Sequence, residues 1–450
     1  MRNPSPRLMM GIGAALAAAW VLFHLGVPLV EDSLFWWVPK GLLVAERGLT
    51  LQLDGALPAA MNPGGLAAPI VPQWSGGLPD YAHPPLWYWW LGLFLHFSTS
   101  VQAVHLACLV PAMLAGAGFA ALGCRLGKPL SGLVVFALPP FLAQLLRPEL
   151  DLPLLAILPW ALMALLDRKW SQYAFLAALA TLFKEPGVLL MAPGAWVALK
   201  ERKLRWQVLA PIAALVLWGL IHGWLAKPER LPDGPSGWLM DLLTVLRIFF
   251  FEQGRWLLLA GLPLLWRERA LGVLVATWVV FFATVGFFAN RGTLDSFTHV
   301  RYLLPGMAVA VVVLAGRWPF LALAGLLWLR SASPFGPEAS LHGTDVARSS
   351  KDAAPWIEEQ IASGSTVWVG THLAAGLTQP WAGMVDAPLD GFSVYSIQTQ
   401  PSQVQSGSIV LEASYGEPTG AILAGRQSTV LERWVNGDGT IQALLVGEAK

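Results

Sequence analysis

The stretch YAHPPLWYWW, residues 81–90, decides how often this chain is predicted to cross a membrane. The sequence continues as LGLFLHF, so an apolar, aromatic-rich segment extends from 84 to 97. As a helix it would rise about 21 Å, short of the roughly 30 Å of a bilayer's hydrocarbon core. We therefore predict an interfacial or re-entrant helix on the outer face, begun by Pro84 and Pro85 and anchored among headgroups by the aromatic residues 87–90. The alternative is an ordinary short span in a tilted bundle.

The composition is that of an integral membrane protein. Of the 450 residues 55% are hydrophobic and 13% charged, with a mean hydropathy of +0.56. Soluble domains carry about a quarter charged residues. Apolar runs of roughly 20 residues, and fewer where helices are tilted or partly shielded, predict about eleven transmembrane helices. The predicted spans are 8–30, 101–123, 129–146, 150–166, 171–183, 186–199, 206–226, 253–266, 270–289, 301–316 and 318–330.

The chain changes character after residue 330, because long apolar runs give way to Ser, Thr, Gln, Gly and acidic residues. We predict a transmembrane domain at 1–330, with a long first periplasmic loop at 31–100, and a soluble domain at 331–450. The fold class is thus a polytopic α-helical membrane protein with a small C-terminal α/β domain. Within that domain a helix is predicted at 345–361, and strands at 365–370, 407–413, 428–435 and 440–447.

Basic residues set the predicted orientation. The basic turns at 125–128, 168–169 and 200–205 all lie on the cytoplasmic side only if 84–97 does not span, as the positive-inside rule prefers. The N-terminus is then cytoplasmic, and an odd number of spans places the C-terminal domain outside. The first apolar segment, 8–30, is too long for a signal peptide and is predicted to be a retained anchor.

Charge and cysteine content exclude some partners. A net charge of +1 without a basic stripe argues against nucleic-acid binding. The two cysteines, Cys108 and Cys124, suggest neither a disulfide framework nor a metal cluster. Glu31, Asp32 and Asp151 offer oxygen ligands for Mg²⁺ or Mn²⁺, although we expect no metal.

The predicted outer turns mix carboxylates with cations, whereas the inner turns are short and almost purely basic. A single charge at a span end is commonly solvated or snorkelling, but the collection suits group transfer from a lipid phosphate. A carboxylate can act as general base on an acceptor hydroxyl, and cations can stabilise charge on the departing phosphate. These outer residues include Glu31, Asp32, Asp80, His83, Arg147, Glu149, Asp151, Lys184, Glu185 and Arg301.

Two motifs, EDSLFWWVPKGLLVAERG at 31–48 and the His-Pro-Pro before the aromatic helix, resemble the GT-C superfamily of polyprenyl-phosphate-sugar glycosyltransferases. The most similar subgroup is the protein O-mannosyltransferase and lipid A aminoarabinose transferase type. Weaker matches follow in order at RPELD (147–151), LFKEPGVLLMAP (182–193) and RYLLPGMAVAVVVLAG (301–316). Together they cover roughly residues 8–330.

The resemblance implies an inverting transfer from a sugar on undecaprenyl phosphate, at the periplasmic face of a bacterial inner membrane. It makes Asp32 or Glu31 the general base and leaves open which, because the acidic pair is Glu-Asp rather than Asp-Glu. His83 would contact the lipid phosphate, where many bacterial members have Lys. The further implied positions are Lys184, Arg301 and Arg147 for phosphate or donor, and Asp80 and Asp151 at the cleft edge.

Neither the sugar nor the acceptor follows from the sequence. A transporter or lipid flippase is the main alternative, but such proteins usually carry ionisable groups near the bilayer midplane and often show repeated halves. Most predicted spans here are free of charge at their centres, and no repeat is found. A non-catalytic scaffold or an acyltransferase-like enzyme is a third class, and no histidine-based motif for acyl transfer stands out. The C-terminal domain is expected either to cover the cleft and help select the acceptor or to act as a folding cap.

Overall fold

A computed structural model shows a mostly helical chain that ends in a small sheet domain. It describes residues 4–30, 33–51, 83–222, 257, 259, 261–288, 300–320, 342–395, 399–414, 422–423, 425–437 and 439–449. The α-helices in these ranges are α1 Pro6–Phe23, α2 Val38–Arg47, α3 Leu86–Leu95, α4 Val101–Arg125, α5 Pro139–Leu146, α6 Asp151–Leu166, α7 Trp170–Phe183, α8 Met191–Lys200, α9 Ala210–His222, α10 Leu264–Arg267, α11 Arg269–Phe288, α12 Val300–Arg317, α13 His342–Ala362 and α14 Thr371–Thr378. The predicted fold class is confirmed in this coarse form.

Within the described residues, only some of the predicted spans are seen as helices that are long and apolar enough to cross a membrane. Within the described ranges α1 and α4 are long and apolar enough to span, and Pro129–Ala137 with α5 makes a third if this pair, bent by 76°, is one span. The bend lies next to Pro139 and Pro140. These prolines lack the backbone N–H groups that would continue the preceding 3₁₀-helix, and they occupy the first positions of the α-helix α5. The number eleven remains a prediction.

Helix α3 is short, as the opening stretch predicts. It begins directly after Pro84 and Pro85 and has 10 residues, so it rises about 15 Å, half the hydrocarbon core. The expectation for its aromatic side chains is wrong in part. Trp87 and Tyr88 are fully buried in the protein rather than exposed to headgroups.

The described residues fall into two compact units. One unit comprises Met1–Phe23, Tyr81–Trp87 and Leu106–Ser340, and the other comprises His24–Asp80, Tyr88–His105 and Leu341–Lys450. The predicted domain boundary at 330 lies outside the described residues and is not tested by them.

The first unit is held together by close helix contacts. A Cβ on Gly13 of α1 would collide with the carbonyl oxygen of Gly116 in α4, so these two backbones touch. Contacts of this kind between small residues are typical of membrane helices, because there dispersion contacts rather than water exclusion drive packing. Helix α4 makes a second contact of this kind near its end, since a Cβ on Gly123 would meet the backbone of Gly132 in the 3₁₀-helix Pro129–Ala137.

The second unit contains a five-stranded mixed sheet. The strands are β1 Val367–Gly370, β2 Ser393–Tyr395, β3 Ile409–Ala413, β4 Arg426–Asn436 and β5 Gly439–Ala449. Their order in the sheet is β2-β1-β3-β5-β4. Strand β1 pairs in parallel with β2 and with the central strand β3, whereas β5 pairs antiparallel with β3 and β4. All four predicted strands are present, and the short β2 is the one that the sequence pattern missed.

The helix of the first predicted span, 8–30, ends at Phe23, and the last residues of that predicted span and the first described residues of the predicted loop pack in this unit with the sheet domain. The backbone N–H of Leu29 donates to the carbonyl oxygen of Ala382 at 2.8 Å. The ring of Phe35 meets that of His372 edge-on at 4.8 Å. Lys40 of α2 is fully buried with its ammonium group 5.5 Å from the centre of the Tyr88 ring. No pattern in the sequence predicts these long-range contacts.

Candidate active site

Five charged side chains of the first unit are almost completely buried together. They come from the RPELD turn between α5 and α6, from the residue after α7 and from the first turn of α12. Burying a charge is costly unless it is paired, and even a paired buried charge is weak support for stability. Such a cluster is therefore a functional-site candidate. Its members are Arg147, Glu149, Asp151, Lys184 and Arg301, each at most 5% exposed.

Proline geometry places the acidic side of this cluster. Arg147 is extended, with φ −91° and ψ 129°, as expected for a residue before proline, and helix α5 ends there. Asp151 opens α6, where a carboxylate is favoured by the helix dipole. The turn is tied to the aromatic helix because the indole Nε1 of Trp87 donates to the carbonyl oxygen of Pro148 at 2.8 Å.

Lys184 has an extended backbone and lies between α7 and the 3₁₀-helix Glu185–Leu190. Its Nζ is 2.5 Å from Oδ1 of Asp151 and 4.3 Å from the centre of the Tyr302 ring. The turn after it requires Gly187, since a Cβ there would lie 2.5 Å from the backbone of Ala180. A tight backbone contact thus helps to fix the position of the lysine.

Arg301 bridges the two carboxylates of the RPELD turn. One terminal nitrogen is 3.1 Å from Glu149 Oε1, and Nε is 4.0 Å from Asp151 Oδ2. Arg147 approaches the same Glu149 oxygen at 3.8 Å, and the amide of Gln144 donates to Glu149 Oε2 at 3.0 Å. Among the five buried charged residues the cations outnumber the carboxylates by three to two.

Aromatic contacts orient the start of α12. The ring of Tyr302 stacks on that of Phe282 with centroids 5.8 Å apart and an interplanar angle of 3°. The indole of Trp278 donates to the Tyr302 carbonyl oxygen at 2.7 Å. The guanidinium of Arg301 also lies 5.1 Å from the Tyr302 ring centre. Helix α11 therefore holds the tyrosine against which both Lys184 and Arg301 rest.

His83 is brought to the same region of the first unit, where its Nδ1 lies 2.7 Å from a carboxylate oxygen of Glu185. Burial alone would raise the pKa of Glu185, but the attraction and hydrogen bond of His83, its own backbone N–H and the charge of Lys184 lower it below the usual range. Glu185 therefore favours the ionised form. His83, which stands where the resemblance would have Lys, is thus paired with Glu185.

The structure thus places five predicted site residues in this region: His83, Arg147, Asp151, Lys184 and Arg301. The predicted base residues Glu31 and Asp32 and the cleft residue Asp80 lie outside the described residues. The sequence analysis counted Glu149 among the outer ionisable residues without giving it an individual role, and it did not single out Gln144 or Tyr302. Glu149 stands between Arg147 and Asp151 in the quoted RPELD motif, so three ionisable residues within one turn were the available signal.

The described residues contain no group of three His, Cys, Asp or Glu side chains arranged to hold a metal ion. Asp151 faces two cations, Lys184 and Arg301, an environment that repels a dication. What the five buried charges can do is bind an anion: a phosphate entering beside Lys184 and Arg301 would replace carboxylate contacts with phosphate contacts in a site from which water is largely excluded.

Comparisons with known proteins identify the fold. No protein-family model and no curated protein sequence matches the chain. Among solved structures, it is similar to the crystal structure of ArnT from Cupriavidus metallidurans bound to undecaprenyl phosphate, with a TM-score of 0.51 and 14% sequence identity. The match covers 96% of this chain and 97% of that one. At this identity the match shows the fold alone, and that fold agrees with the one that the sequence resemblance implies.

Proposed function

We propose that this protein is an integral membrane glycosyltransferase that moves a sugar from a polyprenyl-phosphate donor to an acceptor. The supporting observation is the buried cluster of Arg147, Glu149, Asp151, Lys184 and Arg301, which lies at the ends of the four helices α5, α6, α7 and α12. The fold is shared over nearly the full length with a protein whose structure contains undecaprenyl phosphate. A phosphate is the group for which guanidinium and ammonium donors are best suited.

In the proposed reaction the acceptor hydroxyl attacks the anomeric carbon and the polyprenyl phosphate leaves with inversion. Negative charge then accumulates on the leaving phosphate. Lys184 and Arg301 donate to it, and their low exposure makes these hydrogen bonds stronger than in water. Asp32 or Glu31 takes the acceptor proton as general base, a role carried over from the sequence resemblance.

The remaining side chains position the two cations. Asp151 and Glu149 hold Lys184 and Arg301 until a phosphate enters, and Tyr302 fixes the direction of both. His83 and Arg147 are proposed to contact the lipid phosphate. Asp80 and Asp151 lie at the cleft edge in this scheme, which uses no metal ion.

The proposed location is a bacterial inner membrane, with the N-terminus in the cytoplasm and the site and C-terminal domain on the periplasmic side. A transporter or flippase is less well supported, because the described site residues lie at helix ends. Arg147 follows α5, Asp151 opens α6, and Lys184 follows α7. A substrate pathway through the bilayer would be expected to place ionisable groups near the middle of spans.

The test measures sugar transfer from radiolabelled polyprenyl-phosphate sugars in right-side-out and inverted membranes that carry the full chain. We expect Lys184→Gln and Arg301→Gln each to reduce transfer by about 100-fold, the usual effect of removing one donor to a developing anion. Asp32→Asn, Glu31→Gln and His83→Ala test the roles taken from the resemblance.

The matched control is Arg125→Gln, which removes an arginine whose Nε lies 2.6 Å from Asp167 but which is half exposed. It should leave transfer unchanged. Wild-type transfer by both the Lys184 and Arg301 variants, at equal expression, would contradict the proposed phosphate site. No transfer from any donor by the wild type would contradict the function itself.

A further inference from the structure

A second site with the chemistry of a lipid ligand lies in the first unit at the turn that follows α8. The turn is fixed by backbone hydrogen bonds from Arg202 N to Leu199 O at 3.0 Å and from Lys203 N to Ala198 O at 3.1 Å. The backbone of Arg202 is in the left-handed conformation, with φ 51°. This residue follows the end of a helix, at a position where glycine is usually found. Position 202 therefore carries a long cationic side chain although its backbone conformation favours glycine.

The turn carries more positive charge than its neighbours neutralise. Between residues 200 and 206 there are four cations and one carboxylate, Glu201. That carboxylate is already engaged by Arg168 and Arg205, and Arg205 also lies 5.2 Å from the Trp170 ring. In the part of the chain that the structure describes, Arg202 and Lys203 make no ion pair.

Beside these cations is an apolar cavity of about 500 Å³, within the size range of small-molecule sites. Arg202 and Lys203 line it together with Ala198, Leu199, Leu204 and Leu209. Leu199 is 76% and Leu204 78% exposed, and Trp206 in the same wall is 68% exposed. A wall of uncovered leucines next to two unneutralised cations complements a molecule with an anionic head and hydrocarbon chains.

We infer that this cavity binds an anionic glycerophospholipid. Its phosphate lies between Arg202 and Lys203, and an acyl chain runs along Leu199, Leu204 and Leu209. The site is separate from the proposed catalytic cluster, since none of the residues that line it belongs to that cluster. The basic turn is predicted to face the cytoplasm, where lipid-binding pockets of this composition occur between transmembrane helices.

The experiment is native mass spectrometry of the full chain in detergent, titrated with phosphatidylglycerol or with phosphatidylcholine. The test variant is Arg202→Asn with Lys203→Gln, because Asn tolerates the left-handed backbone. The matched control is Lys200→Gln with Lys169→Gln, which removes the same charge from the same region at exposed positions that do not line the cavity. We expect the test variant to bind phosphatidylglycerol about 30-fold more weakly, roughly fivefold for each cation near a membrane surface.

The control variant should bind phosphatidylglycerol within threefold of wild type, and phosphatidylcholine should bind weakly to all three proteins. Leu199→Gln, which leaves both cations in place, should also weaken phosphatidylglycerol binding. Equal losses in the test and control pairs would show a diffuse charge effect and overturn the site. Competition by soluble glycerol phosphate as effective as by the intact lipid would overturn the lipid assignment.

Discussion

The pair between Lys184 and Asp151 offers the sharpest test of the buried cluster. Nζ and Oδ1 are 2.5 Å apart and both side chains are at most 6% exposed. At an effective dielectric constant of about 20, an attraction over this distance is roughly 7 kcal/mol. Desolvation offsets much of it, so removing one partner of a buried pair typically costs about 3–5 kcal/mol. Because Arg301 still lies 4.0 Å from Asp151, we expect Lys184→Met to cost about 3 kcal/mol.

The double variant separates pairing from function. Lys184→Met with Asp151→Asn leaves no unpaired charge at this pair, so we expect it to be about 2 kcal/mol more stable than the sum of the single losses predicts. Sugar transfer should nevertheless stay at least 100-fold reduced, because the proposed phosphate donor is still missing. The measurements are the free energy of unfolding in mixed micelles and the initial rate of transfer from a polyprenyl-phosphate sugar.

The exposed pair of Arg125 and Asp167 supplies the control, with a similar separation of 2.6 Å but 46% and 35% exposure. Its coupling energy should stay below about 1 kcal/mol because solvent screens it. Strictly additive losses at Lys184 and Asp151, or a double variant with restored transfer, would refute the reasoning.

Three further changes probe the supports of the site. His83 helps to lower the pKa of Glu185 in the folded protein. The ionised Glu185 carboxylate therefore stabilises the fold fully at pH values above the ordinary pKa of a glutamate. This stabilisation is lost as pH falls through the lowered pKa that Glu185 has in the folded protein. His83→Gln should therefore lose stability at a higher pH than wild type in acid titrations. Trp87→Phe removes the hydrogen bond to the RPELD turn and should cost roughly 1 kcal/mol while slowing transfer. Gly187→Ala should cost about 1–3 kcal/mol by thermal or SDS unfolding, because its Cβ meets the backbone of α7.

Each of these has an internal comparison. Glu185→Gln in the His83→Gln background should abolish the acid shift, and a shift that persists would assign it to another group. Trp87→Phe with unchanged transfer would show that the hydrogen bond does not position the RPELD turn. Gly11→Ala, where a Cβ meets nothing within 4 Å, is the control for Gly187, and equal losses at both glycines would contradict the packing account.

Several features of this protein follow from the sequence because they depend on local patterns. Composition alone indicates a membrane protein, and Pro84 and Pro85 mark the start of α3. The break before α5 lies inside the predicted span 129–146 and was not predicted. The strand-like segments 428–435 and 440–447, joined by the NGDG turn, predict the hairpin of β4 and β5. The ionisable residues of RPELD, KEP and RYLLP are also visible in sequence, since charges at the ends of apolar runs stand out.

What the sequence cannot provide is which of these distant charges meet. Lys184 pairs with Asp151 across 33 positions, and His83 pairs with Glu185 across 102. Neither periodicity nor turn chemistry encodes such pairings, because they depend on how helices pack. The same reason explains why Trp87 and Tyr88 are buried rather than exposed to headgroups, and why Leu29 and Phe35 pack with the C-terminal sheet domain. Local backbone preferences determined the elements of this protein, and only the tertiary packing of the chain decided which charges share a buried site.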